Sequence, residues 1–86
     1  MAYKITYKKS VTKDLKKIDK KQCIRILNKI EAEILQNPKN GKELTGNFSG
    51  LYSYRVGDYR IIYTIISDCE VLILRIAHRK EVYNQE

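Results

Sequence analysis

The apolar positions of the chain change period twice. Tyr3, Ile5 and Tyr7 alternate with Lys4, Thr6 and Lys8, the two-residue repeat of a half-buried strand. Val11, Leu15 and Ile18 then recur at intervals of four and three, a short helix with Ser10 placed to cap it. Asp19, with Gln22 three residues on, has the pattern of a capping box. Beyond it Cys23, Leu27, Ile30 and Ile34 repeat at four, three and four, which predicts a second helix of four to five turns with a lysine-rich back. Asn37-Pro38 ends it, because the residue before a proline is pushed out of the helical region. Lys39–Gly50 holds three of the four glycines and reads as a loop. After it Leu51–Val56, Tyr59–Ile66 and Val71–Arg79 are rich in Tyr, Ile and Val, with Gly57-Asp58 and Ser67-Asp68-Cys69 as connecting turns. The pattern predicts an α+β fold in one domain over residues 1–86. Its order is an N-terminal strand, two helices, then a three-stranded antiparallel meander packed on the helices through one face.

Charge divides the chain unevenly. Residues 1–50 carry eleven Lys and one Arg against five acids, a net of +7. Residues 51–86 carry four Arg and one Lys against five acids, a net of zero. Lysine is a hydrated point charge on a flexible stem, whereas arginine presents a planar fork that grips phosphate through parallel hydrogen bonds. The overall charge of +7 favours polyanions or an acidic protein partner. The longest apolar run, Ile61–Ile66, falls far short of the ~18 residues of a spanning helix, so no membrane role is expected. Met1-Ala2-Tyr3-Lys4 has no apolar leader region, and Cys23 and Cys69 lack metal-type spacing, so a cytoplasmic protein with two reduced thiols is expected.

The chemistry concentrates in the meander. If Gly57-Asp58 is a two-residue turn, Val56 faces Tyr59 and Arg55 faces Arg60, with Cβ atoms roughly 5 Å apart. Like charges so placed cost a few tenths to about 1 kcal/mol, and a bound anion would offset this. The alternative is that both arginines reach into solvent or pair with Asp58 and Glu70. The third strand ends in His78-Arg79, with Tyr83 four residues later. Cleaving RNA without a metal needs removal of the 2′-OH proton, stabilisation of a charged phosphorane and protonation of the leaving 5′-oxygen. Arginine serves the second need; histidine and tyrosine can serve the other two. No Ser-His-Asp set, metal-ligand cluster or phosphate-cradling glycine loop is visible, and no cofactor is implied.

The run Leu51-Tyr52-Ser53-Tyr54-Arg55-Val56-Gly57-Asp58-Tyr59-Arg60-Ile61-Ile62-Tyr63, followed by Leu74-Arg75-Ile76-Ala77-His78-Arg79-Lys80-Glu81-Val82-Tyr83, resembles the RelE branch of the RelE/ParE toxin superfamily. The order of predicted elements resembles that family's fold as well. The resemblance implies a toxin that enters the ribosomal A site and cuts messenger RNA through 2′-oxygen attack on the adjacent phosphate. It also implies an acidic RelB-like antitoxin as partner, with operator DNA reached only through the antitoxin complex. On this likeness Arg60, Arg79 and Tyr83 fall on the family's phosphate-holding, leaving-group and nucleotide-stacking positions. Arg55 falls where some members carry a lysine that activates the 2′-hydroxyl. Two residues earlier, where some members have a further lysine, this chain has Ser53. Because a guanidinium stays protonated, Arg55 is a poor base, which brings His78 forward for proton transfer. Lys13, Lys16, Lys17, Lys20 and Lys21 are expected to contact ribosomal RNA without base specificity. The ParE-type relatives, which inhibit DNA gyrase, are the alternative.

Overall fold

The computed structural model describes residues 3–46 and 49–78. Strand β1 (Lys4–Tyr7) leads into helix α1 (Lys9–Lys16) and helix α2 (Lys20–Lys29). A π-helical turn over Ile30–Ile34 and a 3₁₀ turn over Pro38–Asn40 follow. The remainder is β2 (Lys42–Glu43), β3 (Leu51–Val56), β4 (Tyr59–Ser67) and β5 (Glu70–His78). The strands form one sheet in the order β1-β5-β4-β3-β2. The meander β3-β4-β5 is antiparallel as the sequence predicts, and β1 completes the sheet by pairing parallel to β5, so that the sheet is mixed. The fold is the expected small α+β domain.

The helices cover one face of the sheet. Val11, Ile26, Ile30 and Ile34 pack on Val56, Ile61, Tyr63, Val71, Ile73 and Ile76. Three local expectations are corrected. Ser10 does not cap α1: the helix starts two residues earlier than that cap would place it, at Lys9 after Lys8, with no side-chain cap. The Ser10 hydroxyl instead donates to the Leu74 carbonyl at 3.2 Å, and the Asp14 carboxylate accepts from the Ile76 amide at 3.1 Å. β1 pairs with β5 only as far as Ile73, so α1 supplies the polar partners where that edge would otherwise lie open. The second helix is capped by Asp19, which accepts from the Lys21 amide, but it does not stay α-helical to its end. The Leu35 amide reaches back five residues to Ile30, and the wider turn leaves Ile34 and Leu35 both buried.

The third correction concerns the glycine-rich segment, which is not all loop. Lys42 pairs with Ser53 and Glu43 with Tyr52, adding a two-residue edge strand. Tyr63 is the reason this segment is fixed. Its ring is fully buried and stacks on Tyr52, with centroids 5.5 Å apart. Its hydroxyl donates to the Pro38 carbonyl at 2.6 Å and accepts from the Gly41 amide at 3.1 Å. A Cβ at Gly41 would overlap that hydroxyl, so only glycine fits there.

Two outcomes follow for Tyr63. Tyr63→Phe leaves the Gly41 N–H and Pro38 C=O unpaired and should cost about 1–3 kcal/mol in urea unfolding. A loss no larger than that of a surface Tyr→Phe control would refute the latch. Burial, ahead of the opposing Gly41 hydrogen bond, pushes the Tyr63 hydroxyl from 10.0 up to about 12. The folded state thus holds this proton more tightly than the unfolded chain. The associated stability is fully present below pH 10 and is lost as pH rises from 10 to about 12. Unfolding midpoints across that range should fall less steeply for Tyr63→Phe than for the native chain.

Candidate nucleic-acid face

The β3–β4 turn is the predicted two-residue Gly57-Asp58 connection, with Gly57 in the left-handed region at φ +59°. Its length fixes the register: Val56 opposite Tyr59, Arg55 opposite Arg60. Because Val56 and Ile61 are buried toward the helices, Arg55 and Arg60 leave the sheet on the other face. Their like charges are eased by divergence. Arg55 Nε donates to the Gly57 carbonyl at 3.0 Å, toward the turn. Arg60 Nη1 donates to Ser53 Oγ at 3.1 Å, away from it.

Ser53, only 4% exposed, is therefore the seat of Arg60. A lysine at this position would bring a third cation to the same spot. On β5, Arg75 lies opposite Ile62 and Ala77 opposite Arg60. Arg75 thus shares the face of Arg60 as its diagonal neighbour, and Ala77 beside them is small and buried. Glu70, a potential arginine partner, accepts instead from the Thr6 hydroxyl at 2.7 Å.

This arrangement places Arg55, Arg60 and Arg75 on the sheet face opposite α1 and α2. Arg75 was not singled out from the sequence as a site residue. The signal was present in its parity with Arg79, four positions later in the same predicted strand. His78 goes elsewhere. It lies opposite Tyr59 in the register and meets that ring edge-on at 5.6 Å. With Tyr59, Asp14, Lys17 and Ile18 it lines a cavity of about 240 Å³ on the helix side. The sheet stands between His78 and the three arginines, so the histidine is not brought to them. Arg79 and Tyr83 lie outside the described residues.

Lys13, Lys16, Lys17, Lys20 and Lys21 are all exposed on α1, α2 and the link between them. Cys23 and Cys69 are free thiols, Cys23 turned to the Leu15 and Ile18 carbonyls. Among the described residues no three His, Cys, Asp or Glu side chains gather as metal ligands, and no helix is long and apolar enough to cross a membrane.

The comparisons with known proteins agree with this architecture. Residues 5–83 match the family described as the ParE toxin of the type II toxin–antitoxin system parDE. Toxin RelE of Mycobacterium tuberculosis is 31% identical over 83 residues, covering 94% of this chain and 86% of the relative. Toxin RelG of the same organism is 28% identical over 87 residues, covering 99% of this chain and all of the relative. Among solved structures, the RelBE2 toxin–antitoxin complex of M. tuberculosis superposes with a TM-score of 0.85 at 27% identity, covering 92% of this chain and 93% of that one. The chain belongs to the ParE toxin family of type II toxin–antitoxin systems, within the RelE/ParE superfamily.

Proposed function

We propose that this toxin is an endoribonuclease that cuts messenger RNA in the ribosomal A site. The observation that carries the reading is the set of three arginines, Arg55, Arg60 and Arg75, on the sheet face opposite α1 and α2. The RelE names of two relatives support it. In the reaction the 2′-oxygen attacks phosphorus and loses its proton, the bond to the 5′-oxygen breaks, and that oxygen takes up a proton. The products are a 2′,3′-cyclic phosphate and a 5′-hydroxyl. Arg60, held by Ser53, and Arg75 beside it are suited to the negative charge that builds on the phosphate oxygens. On the family resemblance Arg79 stabilises or protonates the leaving group, and Tyr83 stacks on or orients the nucleotide. His78, across the sheet, is not assigned as the base; its contact with Tyr59 suits it to bracing the end of β5.

The exposed lysines of α1 and α2 would supply attraction to ribosomal RNA. An acidic RelB-like antitoxin would be the cytoplasmic partner, as in the RelBE2 complex of the relative, with operator DNA reached through that complex. A second reading has its own support, since the matching family is described as ParE toxin. In that case the arginine face would serve inhibition of DNA gyrase.

Primer extension on a defined messenger RNA, with and without programmed ribosomes, separates the two. Discrete cuts should appear only with ribosomes, fall about 10²–10³-fold for Arg60→Ala and vanish for Arg79→Ala. No cuts in either case, with inhibition of gyrase supercoiling by the same preparation, would establish the second reading. Charge reversal at Lys13 and Lys16 should weaken ribosome association and flatten its loss with salt, leaving antitoxin binding less affected. Equal weakening of both would remove the lysines' assignment to RNA.

A further inference from the structure

Arg25 lies on the exposed back of α2, one of three cations spaced four residues apart: Lys21, Arg25 and Lys29. At this spacing they repeat about every 6 Å along one side of the helix. Like charges at this interval cost about 0.2–0.5 kcal/mol per pair, so the column is not a stabilising device. Its middle member reaches the sheet. A Cβ built on Gly57 would stand 3.4 Å from Arg25 Nη1 and 3.8 Å from its Cζ, so the guanidinium rests against the glycine of the β3–β4 turn. From the other face of the sheet Arg55 bends to the same residue, its Nε–H donating to the Gly57 carbonyl. That bond uses one of the five N–H groups of Arg55, and both arginines are exposed.

Two guanidiniums thus converge on a single turn from opposite layers of the molecule. Folding gains nothing from their proximity. A phosphate at the corner would gain two forked donors, in the geometry for which arginine surpasses lysine. We infer that the Gly57 turn is a phosphate seat shared by Arg25 and Arg55, through which an RNA backbone passes from the lysine-bearing helix layer to the arginine face. The inference rests on the nuclease reading for its biological setting and adds Arg25 as a positioning residue for the substrate-bearing RNA. Gly57 takes the positive φ that the turn requires, and the Arg25 guanidinium lies within van der Waals reach of it. Asp58, the other turn residue, is an acid that such a backbone must approach. The exposed Ile24 beside the cation column raises one competing use, docking of an acidic protein helix.

The test is binding of the full chain to a fluorescent twelve-nucleotide oligouridylate, followed by anisotropy across a salt series. Arg25→Gln should weaken binding several-fold at low salt and lower the slope of log K against log salt by about 0.7, the value for one phosphate on a single strand. Arg25→Gln with Arg55→Gln should lower it by little more than the first change alone, because the two share one phosphate. Asp58→Asn should tighten binding. A slope unchanged by Arg25→Gln overturns the seat, as does a loss produced by Ile24→Gln with the slope intact, the mark of apolar docking. Oligonucleotide binding needs neither ribosome nor cleavage. Absence of ribosome-dependent cuts, together with an Arg25-dependent slope, would therefore remove the nuclease reading and leave the seat standing.

Discussion

The register of the β3–β4 hairpin is the constraint on which the site depends. Side chains alternate with a period of two, so a slip of one residue would carry Arg55 and Arg60 into the core and Val56 and Ile61 into water. Burying two unpaired guanidiniums is far costlier than any gain available in exchange. The two-residue turn at Gly57 and the apolar partners Val56 and Ile61 hence specify one arrangement between them. Everything on the arginine face inherits its position from that choice, including Arg75, which is placed by pairing of β5 with β4.

The helix side contributes stability through polar contacts as well as apolar burial. Tyr63 sits at the centre of the sheet and reaches the Pro38–Gly41 segment with its hydroxyl. The chain leaving the helices is thereby anchored before it enters β2. At the other edge Ser10 and Asp14 complete the hydrogen bonding of β5 beyond the end of β1. Both devices use one side chain to satisfy backbone groups that regular secondary structure leaves over.

Much of this was legible in the sequence, for reasons specific to each segment. The first strand of the meander, Leu51–Val56, and the turn after it were readable because alternation and turn chemistry agree there. The Arg55–Arg60 pairing followed from turn length alone. The face of His78 was not readable. Val71–Ala77 is apolar at nearly every position, so it carries no alternation, and a register shift opposite Ile62 and Tyr63 changes the phase inside it. Ser10 misled because a hydroxyl that suits a cap equally suits a distant carbonyl, and only tertiary contact distinguishes the two. The edge strand at Lys42 was hidden because its cause, the Tyr63 hydroxyl, lies more than twenty residues away.

The pairing of β1 with β5 has a consequence for how the protein comes into being. Lys4 is matched with Glu70 and Tyr7 with Ile73, so β1 must wait for β5 to be made. Neither β1 nor the polar groups of α1 that finish the β5 edge can find their partners while the chain is still being synthesised upstream of Glu70. Non-local parallel pairing of this kind is entropically late and slow. The sheet of this molecule is therefore completed only once β5 has been made, and an interval separates synthesis of β1 from its pairing. During that interval the exposed strand edges are available to a chaperone, a protease or a partner produced alongside it.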